Sequence, residues 1–200
     1  MGACAFNSPT LLARLTFLQN AIGAVPSPFD CYLSHRGLKT LHLRARQSSL
    51  NAHLLATTLT HSPHTLLVNY PSLTTHPNHH LCSIQHRDGL GGGMLSFRIK
   101  GGKEAAERFC QSTGIFVLAE SLGGVESLCE VPSAMTHAGI PREAREGAGV
   151  WDDLVRLSVG VEDGDDLRRD VLQALERAVV GPKVGKGLGN GEGGVMNGHS

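Results

Sequence analysis

Val155-Arg156-Leu157-Ser158-Val159-Gly160-Val161 is the most regular alternation in this 200-residue chain. Val155, Leu157, Val159 and Val161 share one side of an extended segment, which leaves Arg156 and Ser158 together on the other. A strand with one apolar face needs a second layer to bury it. The next stretch supplies one: Asp163 and Asp166 frame the start of a helix that carries Leu167, Val171, Ala174 and Ala178 on a single stripe. The same grammar recurs upstream. Leu95, Phe97 and Ile99 alternate with Met94, Ser96 and Arg98 as a half-buried strand. Gly101-Gly102 then turns the chain into an amphipathic helix from Lys103 to about Gln111, and Ile115–Ala119 reads as a further apolar strand. Earlier still, Thr65–Tyr70 reads as a short buried strand closed by Pro71, with a helix between Asn78 and Gln85. Strands alternating with short helices predict a layered fold of the α/β to α+β class.

Three helices are predicted before this region. Leu11, Leu15, Leu18 and Ile22 recur at helical spacing, with Ser8-Pro9 as the start and Gly23 as the end. A second helix runs from near Ser27 to Gly37. A long third one, from about Leu38 to Thr60, has Leu41, Ala45, Ala52, Leu55 and Leu59 on one stripe. From Gly181 onward the chain is rich in glycine with almost nothing to bury, so a disordered tail is predicted over 181–200.

Charge and composition exclude several classes. Eighteen basic side chains balance eighteen acidic ones, which gives no electrostatic reason to expect nucleic acid or an anionic membrane as partner. No stretch has the apolar length of a membrane span, and the N-terminus lacks the layout of a signal peptide. Phe6 stands where a myristoylation motif wants Ser or Thr. Cys4, Cys31, Cys82, Cys110 and Cys129 are scattered and never paired as C-x-x-C, which predicts free thiols in a reducing compartment and a cytoplasmic location. Gly189-Asn190-Gly191-Glu192-Gly193-Gly194 fits a dinucleotide-binding pattern in letters only, since it follows no strand and opens no helix. Gly101-Gly102-Lys103 ends in Glu104, without the hydroxyl a phosphate loop requires. His61, His64, His76, His79 and His80 read as loop or helix-surface residues, and no metal site is predicted.

Arg156 is the strongest single candidate for binding. A guanidinium on the polar face of an otherwise apolar strand carries a desolvation cost unless it meets an anion. That anion is either a structural Asp or Glu, or a ligand carboxylate held by the planar fork. Glu120 and Ser121 leave the end of a strand just before Gly123-Gly124, a placement that suits a binding loop and a simple turn equally well.

Longer motifs carry more. Gln19-Asn20-Ala21-Ile22-Gly23-Ala24-Val25-Pro26-Ser27-Pro28-Phe29-Asp30-Cys31-Tyr32-Leu33, Arg36-Gly37-Leu38-Lys39-Thr40-Leu41, Gly93-Met94-Leu95-Ser96-Phe97, the run Leu118–Leu128, Met135-Thr136-His137 and the run Arg156–Asp163 together resemble the pyridoxal-phosphate enzymes of cysteine and methionine metabolism. The resemblance extends over nearly everything from Gly2 to Ala178 and is strongest to the cystathionine γ-lyase branch. It implies the C-terminal part of a fold-type-I enzyme, with a mainly antiparallel small-domain sheet. By that map, residues 1–62 are a remnant of the cofactor-binding large domain and its connecting helix, and 63–180 are the small substrate-binding domain.

The resemblance also implies site residues. Arg156 falls on the family arginine that clamps the substrate α-carboxylate, Ser121 beside that carboxylate, Glu120 on a substrate-side position, and Thr136 in a motif lining the same pocket. The implied cofactor is pyridoxal 5'-phosphate. Its Schiff-base lysine would lie upstream of the segment matching Gly2–Phe6, so no catalytic or cofactor-binding residue is assigned to this chain. Lys39, Lys100, Lys103, Lys183 and Lys186 stand in other contexts. The implied reaction is conversion of cystathionine to cysteine, 2-oxobutanoate and ammonia by a homotetramer. The alternatives are a non-catalytic module that associates with full-length subunits and a piece of a γ-synthase-type transferase. If the large-domain sheet is missing, Gly2–Phe6 and the Leu11–Ile22 stripe should be left without partners.

Overall fold

The computed structural model describes residues 2–181. The glycine-rich tail and the Gly189–Gly194 pattern lie outside the described residues, apart from Gly181. Seven α-helices and five strands follow in the order α1 (Pro9–Ile22), α2 (Pro28–Leu38), α3 (Leu41–Thr60), β1 (Thr65–Asn69), α4 (His79–Gln85), β2 (Met94–Ile99), α5 (Gly102–Ser112), β3 (Val117–Leu118), β4 (Leu128–Glu130), α6 (Arg142–Gly147), β5 (Leu154–Ser158) and α7 (Gly164–Val180). The strands form one sheet in the order β1-β2-β5-β4-β3. Every pairing is antiparallel except β3 with β4.

The alternation that opens the sequence places β5 at the centre. Leu157 faces Leu95 on one side and Cys129 on the other, and Val155 faces Phe97, so one sheet face is continuously apolar. Helix α5 packs on it against β2, β5 and β3, α3 packs alongside against β1 and β2, and α7 packs against both helices. Phe97 and Phe109 meet edge to face at 5.3 Å between ring centres in the middle of this layer. The stripe of α7 is fully buried at Leu167, Val171, Ala174 and Ala178. Asp163 caps that helix by accepting from the backbone N–H of Asp165 and Asp166. Two helical turns inward, Asp170 accepts from the N–H groups of Gly114, Ile115 and Phe116 at 2.7, 2.9 and 3.2 Å, which fixes the turn between α5 and β3.

Several expectations are corrected. The strand over Thr65–Tyr70 is not buried: Leu66 and Leu67 are exposed, because β1 is a sheet edge with a register irregularity between Thr65 and Leu67. The strand expected over Ile115–Ala119 shrinks to Val117–Leu118, both exposed at the other edge, while Phe116 enters the core with Ile115 packed against it. β5 stops at Ser158, where Val159 N–H donates to Gly93 O instead. The long helix begins at Leu41, after a break at Lys39-Thr40. β4 and α6 were not predicted; three and six residues are too few to show a period.

The glycine run before β2 has a steric reason. Tyr70 is fully buried, donates from its hydroxyl to Ser49 O and Gly92 O, and has its phenol pushed up to about 12 by burial. A Cβ at Gly91 would meet that ring at 2.6 Å, and one at Gly93 would strike the Ser48 hydroxyl.

α1 and α2 form as their sequences predict. Ser8 and Ser27 cap them, and Gly23 ends α1 at φ 74°. Neither helix contains a buried residue. Leu11, Leu15, Leu18 and Ile22 are all exposed, as expected for that stripe, and Gly2–Phe6 has no regular structure. Among the described residues no helix is long and apolar enough to cross a membrane.

Candidate carboxylate-binding site

The sheet's outer face carries the candidate site, and strand register assembles it. Arg156 on β5 is the direct partner of Ser96 on β2 and of Glu130 on β4. Residues opposite one another across antiparallel strands share a face, so a glutamate is set against the arginine by the pairing itself. Arg156 Nη1 lies 2.9 Å from Glu130 Oε1. Its Nη2 donates to the carbonyl oxygens of Glu120 and Ser121 at 2.8 and 3.1 Å. Nε and one N–H of Nη1 have no partner among the described residues.

Thr136 joins through the glutamate: its hydroxyl donates to Glu130 Oε1 at 3.3 Å and also meets His137 Nδ1 at 2.8 Å. All four residues singled out from the sequence therefore gather around one guanidinium. Arg156 and Thr136 act through side chains, whereas Glu120 and Ser121 contact it only through backbone carbonyls. The Glu120 side chain is exposed and makes no ion pair among the described residues. Of the two partners considered for Arg156, the structural one is present, and two donors remain for a ligand.

Sequence reading missed Glu130. It is fully buried, and its Oε2 has no hydrogen-bond partner among the described residues. Burial pushes its carboxyl above the ordinary range; the Arg156 charge and the Thr136 hydrogen bond pull it back, Glu120 adds to the rise and His137 opposes it. The available signal was a lone acid inside Cys129-Glu130-Val131, where both neighbours are core residues.

The loop that supplies the two carbonyls is itself held. Gly123 N–H donates to Ser158 Oγ at 2.8 Å, on the same face as Arg156. Beyond it, the Glu162 carboxylate accepts from Ser127 N–H at 2.6 Å and from Ser127 Oγ at 2.9 Å, while Ser127 Oγ accepts from Gly160 N–H. Asn51 and Ser48 of α3 complete the clasp, donating to Gly160 O and Glu162 O and to Val159 O respectively. A Cβ at Gly160 would come within 2.8 Å of the Glu126 carbonyl carbon, so glycine is required where these segments cross. A cavity of about 170 Å³ lies beside the clasp, lined by Ser48, Gly93, Gly123, Gly124 and Ser158 among others.

The histidine cluster is dispersed. His61 Nδ1 meets Thr57 O, His76 Nδ1 accepts from Asn78 N–H, and His79 Nδ1 meets Pro71 O. Among the described residues no group of three or more His, Cys, Asp or Glu side chains converges. The five cysteines are free thiols, two exposed and three buried.

Fold and site thus define a mixed α/β domain whose sheet holds a guanidinium paired with a buried glutamate and two loop carbonyls. The family model for Cys/Met metabolism PLP-dependent enzymes matches residues 1–176, and the chain belongs to that family. Cystathionine gamma-lyase of Saccharomyces cerevisiae is 62% identical over 179 residues, covering 89% of this chain and 45% of the relative. The human cystathionine gamma-lyase is 48% identical over 178 residues, covering 89% and 44%. Among solved structures, the yeast cystathionine gamma-lyase superposes with a TM-score of 0.84 at 63% identity, over 87% of this chain and 44% of that one. A cystathionine gamma synthase from Xanthomonas oryzae pv. oryzae, in complex with aminoacrylate and cysteine, superposes with a TM-score of 0.81 at 42% identity, over 88% and 45%. The chain spans less than half the length of these relatives.

Membership implies pyridoxal phosphate as cofactor. The described residues do not fit that group by themselves. Lys39 is exposed at the end of α2, Lys100 is exposed past the end of β2, and Lys103 pairs with Glu107 on α5. None is a partner of Arg156, so among the described residues no amine for a Schiff base stands beside that guanidinium.

Proposed function

We propose that the chain is the substrate-carboxylate-recognising part of a PLP-dependent carbon–sulfur lyase of transsulfuration, which converts cystathionine to cysteine, 2-oxobutanoate and ammonia in the cytoplasm. Arg156 receives the α-carboxylate, with Ser121 beside it, Glu120 on the substrate side and Thr136 acting through Glu130. The observation that carries this reading is Arg156 itself. It is fixed on three sides by Glu130 and two loop carbonyls and keeps Nε–H and one Nη1–H free. Identities of 62% and 48% to the yeast and human γ-lyases support the lyase reading. Binding a substrate without stabilising a transition state does not accelerate a reaction, so the chain alone binds amino acid but does not turn it over.

The test combines binding and spectroscopy. Calorimetry at mildly acid pH should show L-cystathionine binding that Arg156→Ala abolishes. Titration with pyridoxal phosphate should give no saturable visible band that borohydride locks onto one lysine, and no 2-oxobutanoate should form. Turnover by the chain alone, or binding indifferent to Arg156, would sink the reading.

A second reading rests on a separate observation. α1 and α2 expose Leu15, Phe17, Ile22, Phe29 and Tyr32. We infer that this face seats on family subunits that carry the remaining part of the fold, within a homo-oligomer. Co-purification with a full-length γ-lyase subunit, lost in Leu15→Glu/Leu18→Glu, is the expected result.

A further inference from the structure

Glu130 has more structure around it than a partner for Arg156 needs. It is the cross-strand neighbour of the arginine, and its side chain is fully buried. Its two oxygens are treated unequally. Oε1 accepts from both Arg156 and Thr136, while Oε2 is buried with no hydrogen-bond partner among the described residues. A buried charged oxygen without a donor is costly, and a proton on that oxygen removes most of the cost.

Arg156 still offers Nε–H and one Nη1–H. A carboxylate arriving there places a second anionic group on the guanidinium that Glu130 already neutralises. Two carboxylates sharing one cation do not both stay ionised without raising the proton affinity of one of them. The ligand carboxylate is the stronger acid of the two, and Glu130 is the one shut away from water. The other titratable groups acting on Glu130 are Glu120 from the loop after β3 and His137 beside Thr136, while Cys110 on α5 lies in the core behind the sheet. Glu120 reinforces proton uptake, and His137 opposes it when charged.

We propose that Glu130 is a positioning residue that couples amino-acid carboxylate binding at Arg156 to the uptake of one proton from solvent, held on Oε2. No bond to the ligand forms or breaks, and Oε1 keeps its hydrogen bonds to Arg156 and Thr136 throughout. The site is consequently stronger at acid than at alkaline pH. This rests on the reading of Arg156 as the carboxylate clamp.

Calorimetric titration of the full chain with L-cystathionine, from about pH 5 to about pH 9 in buffers of different ionisation enthalpy, counts the protons. Uptake approaching one proton per ligand is expected, with affinity falling about tenfold per pH unit above the titration of Glu130. Glu130→Gln, a neutral isostere, should bind with no uptake and a flat profile at the acid-side affinity. Should that variant fail to unfold cooperatively, the proton count on the wild-type chain decides alone. Binding that Arg156→Ala abolishes, but with no proton uptake, overturns the coupling and leaves the clamp standing. Uptake that persists in a folded Glu130→Gln assigns the proton to another group and overturns it as well. No binding at the acid end overturns both readings.

Discussion

α1 and α7 are written in the same language and end in opposite states. Each has a capped N-terminus and apolar residues at helical spacing, yet α1 buries nothing while α7 buries its whole stripe. The difference is the sheet. α7 packs against α5 and α3, the helices that cover the apolar face of the five-stranded sheet, and α1 has no such layer among the described residues. Amphipathic patterning makes a helix ready to pack; only a complementary layer turns that readiness into stability. α3 shows both states in one element: its first turns expose Leu41 and Leu43, and its later turns bury Ala52, Leu55 and Leu59.

The sharpest way to break this comparison is to cut the same kind of side chain from each region. Phe97→Ala removes a ring that is almost fully buried against Phe109 and should cost roughly 3–5 kcal/mol in denaturant unfolding. Leu15→Ala on α1 should change the main transition by less than about 0.5 kcal/mol. An equal loss from both would mean that α1 belongs to the same cooperative unit. Next in size is Asp170→Ala, which strips the acceptor from three backbone N–H groups, one of them buried, and should cost roughly 2–4 kcal/mol by the same measurement. Asn51→Ala breaks the tie between α3 and the Gly160–Glu162 turn and should cost roughly 1–2 kcal/mol. A smaller effect would show that α3 is held by its apolar stripe alone.

Where burial and periodicity agree, the sequence was readable. The alternation of β2 and β5 and the stripes of α5 and α7 report their own environments, because each is long enough to show a period and fully covered on one side. β1 and β3 misled for the converse reason: Leu66, Leu67, Val117 and Leu118 are apolar but lie at sheet edges, and side-chain type does not reveal strand order. The site divides along the same line. Arg156 stood out because it interrupts an apolar alternation. Glu130 did not, since its pairing with Arg156 is a matter of register between β4 and β5, which no local pattern encodes.

The smallest effects expected are slopes with pH, and they run in opposite directions at two acids. Asp152 is held below the ordinary carboxylate range, first by its hydrogen bond from Arg145 and then by that arginine's charge. Its contribution is present above the unfolded value near ~3.9 and is lost as pH falls through the lower folded value. Glu130 is raised, first by burial. In the window between its unfolded value near ~4.3 and its higher folded value, the native chain keeps a proton that the unfolded chain has released. Stability from that group is therefore present below the window and declines as pH rises through it. Denaturant midpoints followed across mildly acid pH should show this decline in the wild-type chain and lose it in Glu130→Gln. Arg156→Ala should steepen it, because removing the cation leaves the buried carboxylate with only the Thr136 hydroxyl and raises its proton affinity further. A slope that Arg156→Ala leaves unchanged would mean that another group titrates there, and that the outer face of β4 and β5 is not the pair of coupled charges its register makes it.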